Sequence, residues 1–185
     1  MHRSTLLAAG LLTGTLVLTA GGAYADSASV KDKAGDAPAA GDITQLTVRN
    51  AGKALMIQTK LVKATTGRTH VVATLTPASA DGTPVAGAAT YVVRTVETGH
   101  GHRVGATLET DAADATDPTA TVATLLDCQG IHAAVSAGRH GMVTLRVPQA
   151  CFGADAGTLT VDVTTVTAAG EVLDRTASDP TVDQG

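Results

Sequence analysis

The residues best suited to chemistry lie just ahead of the first strand-like run, in Asp32-Lys33-Ala34-Gly35-Asp36-Ala37-Pro38-Ala39-Ala40-Gly41-Asp42. Calcium takes about six to eight oxygens from carboxylates, carbonyls and water in a bent loop, and Asp32, Asp36 and Asp42 could supply some of them. These three are the candidate metal ligands. The spacing is not that of an EF-hand loop, the closing Glu is absent, and Lys33 weakens the local field. The competing reading is that Asp and Gly here simply make turns. The histidines offer less. His100-Gly101-His102 sits at an expected hairpin tip, but a structural zinc site wants about four N or S ligands, so a solvated turn is the better reading. His70, His132 and His140 stand singly in or beside strands.

Catalytic patterns are missing. The chain has no G-x-S-x-G elbow and no H-E-x-x-H pair. Ser27, Ser29, Ser79, Ser136 and Ser178 have no His partner that the sequence singles out. A glycosidase needs two carboxylates flanking the scissile bond. Glu97 and Glu109 flank one hairpin, yet strand charges normally face outward. No catalytic residue is assigned, and the expectation is a protein that is not an enzyme.

Cys128 and Cys151 make an even pair, which in an oxidising compartment reads as a disulfide. The start of the chain points to that compartment. Met1-His2-Arg3 is a short basic flank, Leu6 to Ala20 is mostly apolar, and Ala23-Tyr24-Ala25 is an A-x-A site. These are the three parts of a secretory signal peptide, so residues 1–25 are expected to be cleaved. The apolar run is short for a membrane span, which needs roughly 20 residues. Cleavage removes 25 of 185 residues, leaves 160, and takes the formal charge from −4 to −5 with the loss of Arg3. Such a mildly acidic chain offers no electrostatic footprint for nucleic acid or anionic lipid. No anchoring signal follows, so the expectation is a secreted, extracellular protein with no membrane association after cleavage.

The elements that must position these residues are strands. Aromatics are 2% of the chain and Trp is absent, so Val, Leu, Ile and Ala must build the core. Period-two alternation recurs at Leu46/Val48, Leu55/Ile57/Thr59/Leu61, Val71/Ala73/Leu75 and Val104/Ala106/Leu108. It continues at Ile131/Ala133/Val135, Val143/Leu145/Val147 and Leu159/Val161/Val163. Gly, Pro and Asp turns separate the runs, as at Asn50-Ala51-Gly52 and Ala80-Asp81-Gly82-Thr83-Pro84. Asp111 to Thr119 reads as an exposed polar loop. The pattern predicts an all-β fold, an antiparallel β-sandwich of about nine or ten short strands with one disulfide, with a β-barrel as the alternative. The expected organisation is a signal peptide (1–25), an acidic Gly/Pro N-terminal segment (26–41), the sandwich domain (42–174) and a flexible polar tail (175–185).

The run Asp32-x-x-Gly35-Asp36, followed by Asp42-Ile43, resembles the opening of secreted, largely uncharacterised β-sandwich proteins of high-GC Gram-positive bacteria. Val147-Pro148-Gln149-Ala150-Cys151-Phe152-Gly153, with Cys128 upstream, is similar to the same group. That resemblance implies fold and compartment and carries no activity. Together these readings predict an extracellular binding or envelope-associated module whose partner is a protein or a glycan. A carbohydrate-binding module is the first alternative, and a secreted hydrolase or protease inhibitor the second.

Overall fold

The computed structural model describes residues 26–98, 103–113, 121–152 and 157–183. The expected signal peptide, the His100-Gly101-His102 tip and residues 114–119 of the polar stretch lie outside them.

Fourteen strands are present among the described residues. The first sheet comprises β1 (Asp26–Lys31), β2 (Ile43–Ala51), β3 (Ala54–Leu61), β11 (Met142–Pro148) and β9 (His132–Ser136), in the order β1-β2-β3-β11-β9. The second runs β13-β12-β5-β6-β7-β8. Its members are β5 (His70–Ala78), β6 (Thr90–Thr98), β7 (Arg103–Ala113), β8 (Thr121–Leu126), β12 (Thr158–Val166) and β13 (Val172–Arg175). A further strand, β14 (Thr181–Asp183), pairs the same β12 beyond the end of β13. The two-residue strands β4 (Lys63–Ala64) and β10 (Gly138–Arg139) pair with each other. Every pairing is antiparallel.

The alternation read in the sequence is the alternation of the core. Leu46, Val48, Leu55, Ile57, Leu61, Val143, Leu145 and Val147 of the first sheet are fully buried. They share one hydrophobic cluster with Val71, Ala73, Leu75, Val93, Leu159, Val161 and Val163 of the second. Each sheet keeps two edges, with β1 and β9 bounding the first and the β13/β14 side and β8 bounding the second. Among the described residues the strands therefore form an open sandwich and do not close into a barrel.

The strand count exceeds the expected nine or ten because several short or polar segments also pair. Residues 26–31, expected within an acidic leading segment, form the edge strand β1 in register with β2, from Asp26↔Asn50 to Lys31↔Gln45. Only Ala28 and Val30 are aliphatic there, so the period-two signal is faint, and an edge strand tolerates that polarity. The polar tail expected from residue 175 is a further correction. Arg175 ends β13, Thr181–Asp183 forms β14, and Val182 is fully buried. A single buried apolar residue in a stretch of Thr, Asp and Pro leaves no periodicity to read. Strand β7 also continues to Ala113, taking Asp111 out of the expected loop.

Cys128 follows β8 and Cys151 lies in a short 3-10 turn after β11 (Gln149–Cys151). The two form a disulfide with Cα atoms 5.5 Å apart. Since β9 and β11 are neighbours in the sheet, the bridge closes the open end of the hairpin they make, as the sequence predicts.

Candidate metal centre

The acidic segment folds as a tight loop between β1 and β2. Gly35 adopts φ +97, a left-handed backbone that favours glycine. Its N–H donates to Asp42 Oδ2 at 2.7 Å. The Pro38 carbonyl accepts from Gly41 N at 2.7 Å and Asp42 N at 2.9 Å, which turns the chain into β2. Gly41 sits hard against the second sheet, and a Cβ there would lie 2.7 Å from Leu173 Cβ. Thr165 Oγ1 donates to the Gly41 carbonyl at 2.6 Å. The loop is thereby docked on β12 and β13.

That docking brings in a fourth carboxylate. Asp174 Oδ2 accepts the Ile43 N–H at 2.7 Å, and its Oδ1 accepts the Arg175 N–H at 2.8 Å. One carboxylate oxygen from each of Asp36, Asp42 and Asp174 lies within 4.8 Å of the others. Of the three expected ligands, Asp36 and Asp42 are in this group. Asp32 is not, although it lies near enough to act on Asp174 through its charge. Asp174 was not legible as a partner, because it stands 131 residues beyond the Ile43 amide that it holds.

Burial raises the Asp174 carboxyl above its ordinary value. The hydrogen bonds from Ile43 and Arg175 oppose that rise, and the charges of Asp32 and Asp36 add to it. Asp42 is 2% exposed. Its Oδ1 is buried with no hydrogen-bond partner, as is Asp32 Oδ2. Among the described residues no Lys or Arg forms an ion pair with any of the four carboxylates, since Arg175 pairs with Asp162 and Asp179 instead. An all-oxygen, acidic group of this kind suits a hard divalent cation.

The other candidates are dispersed. His70 lines an open depression of about 390 Å³ with Val72, Arg94, Glu97 and Gly170. Arg94 is turned to Glu109 at 3.4 Å, and Thr95 Oγ1 is occupied by the Val71 backbone. His132 is exposed on β9, and His140 is exposed in the turn before β11. Tyr91 packs edge-on against Phe152 with ring centroids 5.2 Å apart.

The fold and the acidic group define a disulfide-bonded antiparallel β-sandwich with a candidate cation site between its sheets. Comparison with protein-family models, curated proteins and solved structures finds no match for this chain.

Proposed function

We propose that this chain is an exported, non-enzymatic β-sandwich that serves as an extracellular binding or envelope-associated module, with a protein as its partner. The observation that carries the reading is the Cys128–Cys151 disulfide, which suits the oxidising compartment beyond the membrane. Asp26, the residue after the A-x-A site, is the first of β1, pairs with Asn50, and accepts the Asp183 N–H through Oδ2 at 2.7 Å.

A protein partner is favoured over a glycan. Sugar-binding faces rely on exposed flat aromatic rings. The only aromatic residues after position 25 are Tyr91 and Phe152, and they pack on each other. Among the described residues the second sheet, by contrast, ends in β8 with one edge unpaired. Its sequence, TVATLL, carries no charge and no Pro, and Leu125 and Val122 are 66% and 48% exposed. Natural edges are usually blunted by such residues, and an unblunted edge can accept an added strand.

Expression of the full chain in an exporting Gram-positive host tests the reading. The expected product is a protein in the medium that begins at Asp26 and has no free thiol. Retention in the cytoplasm with residues 1–25 attached would overturn export. Strong binding to a glucan, chitin or peptidoglycan would transfer the reading to the carbohydrate-binding alternative, and hydrolase activity lost on a single substitution would replace it with an enzyme.

A further inference from the structure

We propose that Asp36, Asp42 and Asp174, with Asp32 beside them, hold a calcium ion between the loop ahead of β2 and strand β13. Proximity of acidic residues does not by itself make a site; the state of Asp42 does. This side chain is 2% exposed, yet only Oδ2 is satisfied, by the Gly35 N–H, while Oδ1 is buried without a partner. A carboxylate oxygen in that condition is costly unless a positive charge meets it. Asp32 Oδ2 is a second buried oxygen in the same condition. No Lys or Arg among the described residues supplies the countercharge, because none of the four carboxylates is in an ion pair there.

The geometry suits one ion. Calcium–oxygen distances run about 2.3–2.6 Å, so oxygens on a common ion lie up to roughly 5 Å apart. The three carboxylate oxygens lie within 4.8 Å of one another. The donor set selects the metal class, since it contains no His or Cys and consists of carboxylates from a loop and a strand. That favours calcium over zinc, which prefers N and S ligands, and over magnesium, which demands near-ideal octahedra and keeps its waters. The site also has a mechanical meaning: Asp36 and Asp42 precede β2 of the first sheet, while Asp174 belongs to β13 of the second. A bound ion joins the two layers at that end.

The test is isothermal titration of the purified, disulfide-bonded protein with calcium chloride after treatment with a chelator. The same titration is run on Asp36→Asn and Asp174→Asn. Asp36 is exposed, so its substitution should leave the fold intact. We expect one ion per chain, with a dissociation constant of about 10⁻⁴ to 10⁻³ M, the range of extracellular calcium modules. We also expect a rise in unfolding midpoint with calcium, and at least about tenfold weaker binding in each variant. Magnesium at the same concentration should leave the midpoint unchanged. Absence of binding in the native protein would overturn the proposal. Equal affinity in all three proteins would overturn it by placing the ion elsewhere.

Discussion

Asp42 and Asp81 show how differently one residue type behaves in this fold. Asp42 is enclosed between two sheets and keeps an unsatisfied oxygen. Asp81 lies in an exposed turn and is fully served: Oδ1 accepts from Ser79 Oγ at 2.6 Å and from the Thr83 N–H at 3.0 Å. The Ser79 hydroxyl, and then the Thr83 amide, lower the Asp81 carboxyl from its ordinary 3.8 to about 2. A carboxyl depressed in the folded state stabilises the fold above its unfolded value and loses that contribution as pH falls through the folded one. The turn should therefore hold fully above pH 3.8 and weaken between 3.8 and about 2. Carboxyl NMR should record an Asp81 midpoint near the lower limit, and Ser79→Ala should move it upward. A midpoint at the ordinary value in both proteins would mean that the Ser79 bond is not formed in solution.

Among the elements, the junction of the small β4/β10 pair with the first sheet is closely packed. The Leu61 N–H donates to the Gly141 carbonyl at 2.9 Å, and the His140 N–H to Val62 at 2.8 Å. A Cβ on Gly141 would lie 2.5 Å from Ala64 Cβ and 2.6 Å from the Ser136 carbonyl oxygen, so backbone would have to move. Gly141→Ala should cost about 1–3 kcal/mol, read as a lower urea midpoint at unchanged slope. An unchanged midpoint would show that the junction is looser than described. Elements such as β3, β5, β11 and β12 were legible because their buried residues alternate without interruption. β1 and β14 were not, because polar edge strands draw their order from hydrogen bonds to a neighbour and bury little of their own. The site was half legible for a related reason. Asp36 and Asp42 share a loop, whereas Asp174 joins them only when β13 meets that loop, a contact that no local pattern announces.

At the scale of the whole molecule, a core almost without aromatic rings relies on aliphatic packing and one covalent staple. The Cys128–Cys151 disulfide closes a separation of 23 residues. On the chain-entropy account, removing such a bridge costs about 3 kcal/mol. The double variant Cys128→Ala/Cys151→Ala should unfold at correspondingly lower denaturant, and a variant as stable as the native protein would show that the bridge adds nothing to the sandwich. The meeting of Asp26 with Asp183 has a different consequence. The Asp183 N–H reaches Asp26 Oδ2 at 2.7 Å, and the buried Asn50 side chain donates to the Asp183 carbonyl at 2.7 Å, so β1 and β14 bring the two ends of the described fold side by side. The order in which the strands are read along the chain is thus separable from the order in which they sit in space. A circular permutant that joins Asp183 to Asp26 through a short Gly/Ser linker, and opens at the exposed Asp81–Gly82 turn, should keep both sheets and the disulfide. Its collapse would identify that turn as the hinge on which β5 and β6 first find each other.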